Sequence, residues 1–210
     1  MKTLVSAALL LLASTAWGQV LVVNIYDPHP GKAALSFQYA QEARAILKEM
    51  GLDAFVSRDQ MGNLHFGTSF ESWAAWGTFQ GKLQASSEWT AFNEKLAAEP
   101  TAELTDRYMM NQVADGGIGA VYQVFIWDVA AGKTQTTVQD AMGAIPIHEK
   151  LGATVGINVD QFGDVHYVLG FDSWEAWGRF QASSQASEEW AAYWASIASE
   201  EPSAELAKIY

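Results

Sequence analysis

Displaced by 101 positions, the chain overlays itself, and this constrains its fold more than any other feature. Ala43–Phe92 runs alongside Ala144–Tyr193 with roughly 21 identities in 50 pairs, a self-similarity that marks a duplicated structural unit. The matches include Asp59-Gln60 with Asp160-Gln161, Gly62 with Gly163, His65 with His166, Trp73 with Trp174 and Trp76-Gly77 with Trp177-Gly178. One inserted residue then moves the register. Beyond it, Pro100-Thr-Ala-Glu-Leu runs alongside Pro202-Ser-Ala-Glu-Leu, and Tyr108 alongside Tyr210.

Each unit reads as strand, helix, strand, strand, helix, strand. In the first, residues 20–26 are a short apolar run closed by the breaker DPHPGK, and 32–50 have helical spacing with Gly51 in the capping position. Residues 53–58 and 63–70 flank the compact link Asp-Gln-Met-Gly, and Ser72 is placed to cap a helix that runs toward Pro100. ELTDRYMMNQV supplies the last strand. The second unit repeats this with strands at 120–129, 153–159 and 164–171, a helix near 133–151, one long helix to about 199, and SAELAKIY.

Such a unit makes a four-stranded antiparallel sheet with both helices on one face. The other face is bare, so two units packed sheet to sheet bury what each exposes alone. The expected fold is α+β: two ferredoxin-like repeats fused into one barrel, an internal pseudo-dimer that needs no second chain. Residues 19–114 form the first repeat, 115–119 a linker and 120–210 the second. Residues 1–18 carry one Lys, an apolar run from Leu4 to Ala13 and small residues at Ala16 and Gly18. That run is too short to span a bilayer and reads as a secretory signal peptide, which predicts a periplasmic or secreted protein.

Composition bounds the partners. There is no cysteine, so the core must hold without disulfides, and half the residues are apolar. A formal net charge of −12 argues against nucleic acid and anionic membrane surfaces, which require a basic footprint. The expected partner is a small molecule.

The element order, with the SWxAWGxFQ and SxEWxAF/Y patterns of the second helical region, resembles the dimeric alpha/beta barrel superfamily. That group includes NIPSNAP-like proteins, antibiotic-biosynthesis monooxygenase-type domains, stress-responsive barrels and haem-binding chlorite dismutases. The resemblance implies the barrel and one of two functions. One is a ligand-binding or accessory barrel without catalysis. The other is a cofactor-independent monooxygenase acting on an aromatic or polyketide-like substrate. The haem-binding histidine of the chlorite dismutases has no match here, and no cofactor is expected.

The candidate residues follow from strand alternation. The bulkier sides of 64–70 and 165–171 belong under the helices, which turns His65 and His166 toward the space between the sheets. There each is either a structural histidine bonded to a neighbouring strand or rim, or an acid/base group lining a ligand cavity. Without neighbouring carboxylates the two make a poor metal set, and no metal is expected. Four polar residues inside apolar strands are further candidates for the cavity wall: Asn24, Ser57, Gln123 and Asn158. The copies differ at these positions, which predicts an asymmetric cavity. The stripes Trp73, Trp76, Phe79 and Trp174, Trp177, Phe180 read either as helix faces packed on their sheets or as an aromatic cage.

Overall fold

The computed structural model describes residues 19–117, 119–198 and 201–210. The expected signal segment, 1–18, lies outside them. The first repeat comprises β1 (Val20–Pro28), α1 (Ala33–Glu49), β2 (Ala54–Arg58), β3 (Leu64–Phe70), α2 (Trp73–Ala85), α3 (Ser87–Ala98) and β4 (Ala102–Ala114). The second comprises β5 (Val121–Val129), α4 (Thr134–Lys150), β6 (Thr154–Asp160), β7 (Val165–Phe171), α5 (Trp174–Ala186), α6 (Glu188–Ile197) and β8 (Ala204–Ile209).

The helix expected to run unbroken after Ser72, and again after Ser173, is two helices in both repeats. Ser86 and Ser187 interrupt it with extended backbone, and each side chain accepts a hydrogen bond, from the Trp89 and Trp190 amides respectively. A serine that satisfies a free amide at a new helix start makes a second N-cap, and the chain turns there. Ser72 and Ser173 cap α2 and α5 in the same way.

The strands form one antiparallel sheet in the order β2-β3-β1-β4-β6-β7-β5-β8. The two four-stranded halves join where β4 pairs with β6, with Gln112 opposite Asn158. β4 reaches that seam through residues 110–114, beyond Tyr108, and β2 and β8 are the two edges of the sheet. The sheet curls so that its halves face one another, and contacts cross the space between them: Ser57 bonds Tyr122, and the His65 ring meets the Tyr210 ring.

Each half covers its outer face with its own helices. Tyr39, Ala40, Ala43 and Leu47 of α1 pack on Val22, Leu64, Phe66 and Phe70 in the first, one helical stripe against alternate strand residues. Ala144, Val155, Ile157, Val165, Leu169 and Phe180 are the counterparts in the second. The tryptophan stripes pack only along their inner parts. Phe79 and Phe180 are buried, while Trp73 and Trp174 are 40% and 57% exposed. The exposed Trp73 indole donates to Asn111 at 2.8 Å.

The connection between repeats lies against the inner face of β6 and β7. A Cβ added at Gly156 would stand 2.4 Å from the Gly116 carbonyl oxygen, and one at Gly170 would stand 2.6 Å from the Gly117 carbonyl carbon. Only glycine lets backbone approach backbone this closely.

Candidate functional site between the sheets

A cavity of about 540 Å³ separates the two inner faces. Leu21, Val23 and Ile25 of β1 and Val124 and Ile126 of β5 make apolar walls, and His65 and His166 both line it. Strand alternation put them there, since Phe66 and Tyr167 on the opposite faces pack under helices.

Each imidazole is held by an aspartate, which overturns the expectation that no carboxylate stands near. His65 Nε2 lies 3.3 Å from Asp59 Oδ2, and His166 Nε2 lies 3.1 Å from Asp160 Oδ2. The aspartates belong to the turns that join the hairpin strands. Asp59 Oδ1 accepts the amides of Met61 and Asn63, both at 2.9 Å. Asp160 Oδ1 accepts those of Phe162 and Asp164 at 2.8 and 3.1 Å. Gly62 and Gly163, both at φ 94°, let the turns close. One oxygen thus builds the turn and the other orients the histidine. The recurrence of Asp six residues before His was visible in both copies, but its meaning depended on how the turn folds the carboxylate back toward the strand.

The electrostatics follow. Burial pushes the His65 imidazole down and outweighs the pull of Asp59 and Asp106. It is therefore neutral at pH 7, with its proton on Nε2 facing Asp59 and Nδ1 available as an acceptor. Burial raises the carboxylate pKa at Asp59 and Asp160. Hydrogen bonds from Asn63 and His65 in the first, and from His166 and the turn amides in the second, outweigh it and hold both below the usual range.

A second set of groups crosses the pseudo-twofold. The Tyr210 ring packs edge-on to His65 at 5.3 Å, and the Tyr108 ring to His166 at 4.6 Å, so β4 and the residue after β8 each supply an aromatic to the other repeat's histidine. Lys208 Nζ lies 2.7 Å from Asp106 Oδ1, and the Tyr210 hydroxyl donates to Asp106 Oδ2 at 3.0 Å. Asp106 and Lys208 occupy equivalent positions of the two copies. The repeat alignment contained both pairs, but the exchange between halves is a tertiary fact.

Of the four polar strand residues, two reach the cavity and two do not. Ser57 and Asn158 line it, opposite His65 and His166 on the neighbouring strands. Asn24 and Gln123 face the helices instead. Asn24 lines a cavity of about 650 Å³ between β-sheet and helices of the first repeat, and Gln123 accepts from the Trp177 indole and the Gln181 amide. Both sit on the opposite phase of the strand alternation from Leu21 and Tyr122, and a one-residue step changes the face.

A third cavity, of about 460 Å³, lies between the second repeat's sheet and helices. It contains His148, whose Nδ1 is 2.7 Å from the Tyr167 hydroxyl and whose ring stands 4.3 Å from that of Trp190. His148 has no counterpart in the first copy, where Leu47 stands. Among the described residues, no group of three or more His, Asp or Glu is placed to hold a metal ion.

Fold and cavity together define a dimeric alpha/beta barrel fused into one chain, with a polar cluster between its sheets. Solved structures share this architecture. A candidate monooxygenase from Fusobacterium nucleatum superposes with a TM-score of 0.61 at 12% identity, covering 91% of this chain and 94% of its own. A candidate monooxygenase from Lactobacillus acidophilus gives 0.57 at 11%, covering 84% and 85%. An anthrone oxidase-like protein gives 0.58 at 12%, covering 92% and 93%. At such identities the likeness is one of fold. No protein-family model matches the chain, and no curated protein matches it.

Proposed function

We propose that this chain is a small-molecule-binding barrel whose ligand occupies the space between the sheets, and that its N-terminal segment exports it from the cytoplasm. One observation carries the reading: the inter-sheet cavity is large enough for a ligand and reaches both His65 and His166. Its walls are mainly aliphatic and aromatic, with Ser57 beside His65 and Asn158 beside His166 among the polar groups, the composition expected of a site that orients an apolar molecule by a few hydrogen bonds. The test is a thermal-shift screen of small apolar compounds followed by NMR of the histidine rings. Compounds that raise the melting temperature are expected to move the His65 and His166 resonances. Hits that move only His148, which reports the helix-side cavity, would remove the reading.

A second reading is an oxidoreductase of the monooxygenase type acting in the same cavity. It is favoured by the neutral, aspartate-oriented imidazole of His65, a competent proton acceptor, and by the names of the similar folds. Turnover of an identified substrate that survived both His65→Ala and His166→Ala would exclude that role.

A further inference from the structure

The two ends of the lumen are not equivalent. At the first, the hydroxyls of Ser57 and Tyr122 bond one another across the space. At the second, Asn158 occupies the position of Ser57, and Leu21 that of Tyr122. Leucine offers no hydroxyl. Asn158 is only 5% exposed, and its carbonyl oxygen has no hydrogen-bond partner among the described residues. A buried acceptor left unpaired is destabilising, so its presence beside a cavity points to a group that the cavity receives.

We infer that the Asn158 end of the lumen binds a neutral, hydroxyl-bearing apolar molecule that donates to the Asn158 carbonyl beside His166. This rests on the lumen reading and names its ligand class and its half. The charge pattern selects a neutral molecule. Among the described residues no lysine or arginine lines the cavity, whereas Asp53 and Asp115 do, so an anion would enter without a counter-charge. The neighbouring carboxylate of Asp160 is already committed to His166 and to its turn. The walls, which include Leu21, Val23, Met110 and Val168, suit a hydrocarbon body. At the other end, the Ser57–Tyr122 bond satisfies the equivalent site from within the protein.

The test uses the full chain and three probes of one shape: 2-naphthol, naphthalene and 2-naphthoate. 2-Naphthol is expected to bind about tenfold more tightly than naphthalene, to shift the Asn158 side-chain amide resonances, and to outcompete 2-naphthoate. Leu21→Tyr, which copies Tyr122 into the equivalent position of the other copy, should abolish 2-naphthol binding with the melting temperature kept or raised. Asn158→Leu should erase the preference for 2-naphthol over naphthalene without lowering the ligand-free melting temperature. Equal binding of 2-naphthol and naphthalene would overturn the inference while leaving the lumen reading intact. Undiminished 2-naphthol binding in both variants, tighter binding of 2-naphthoate, or binding of none of the three would overturn it as well.

Discussion

At the scale of single residues, His148 shows how burial decides chemistry. Enclosed by Trp190, Phe180 and Tyr167, its imidazole is pushed down to about 4 by loss of solvation, from an ordinary value of 6.5. Between those values the unfolded chain takes up a proton that the folded chain refuses. The stability due to neutral His148 is therefore complete above pH 6.5 and falls away as the pH drops toward 4, by about 3 kcal/mol at most. Urea unfolding at pH 7.5, 6 and 5 should show this slope, and His148→Gln should reduce it, leaving the share of the likewise depressed His65. An unchanged slope in the variant would contradict the assignment. Asp59, Asp106 and Asp160, held below the carboxylate range, add their losses only at lower pH, below the ordinary 3.8. His65 and His166 were legible as lumen residues because alternation is a local rule. Asp59 and Asp160 were not legible as their partners, because a turn had to bring them back.

At the scale of elements, the serines set where helices begin. Ser72 was readable as a cap because it follows a strand. Ser86 and Ser187 were not, because helix formers stand on both sides and the apolar spacing continues through them. Their hydroxyls nevertheless accept from the third residue onward, the geometry of a cap. Ser86→Ala and Ser187→Ala should each cost about 1 kcal/mol. Lying in different repeats, they should add to about 2 kcal/mol in the double variant. Denaturant unfolding followed by circular dichroism measures both. A double variant as stable as the parent would mean that packing of α3 and α6, not capping, fixes the bend.

At the scale of the whole molecule, duplication has been followed by divergence. A symmetric pair of these units would place Asp against Asp, or Lys against Lys, where Asp106 and Lys208 now attract one another. The seams differ too. β6 is bonded on both sides, to β4 and β7, while β2 is bonded only to β3. Hydrogen exchange should reflect this, with the free-side amides of β2 exchanging at least about tenfold faster than those of β6. Equal protection would show that β8 closes the second seam in solution.

The sequence by itself determined the repeat, the order of its strands, the α+β barrel and the inward turn of His65 and His166. Each follows from self-similarity or from the period of a strand or helix, which neighbouring residues encode. Only the tertiary structure decided that Asn24 and Gln123 face helices and that Asp59 and Asp160 hold the histidines. It alone decided that Tyr108 and Tyr210 cross between halves, and that the Asn158 carbonyl, unlike the Ser57 hydroxyl, has no hydrogen-bond partner among the described residues. Those facts depend on groups separated by a turn, a sheet or an entire repeat. The face of a polar strand residue depends on a one-residue phase, and a hydrogen bond across a lumen depends on what the opposite repeat places there.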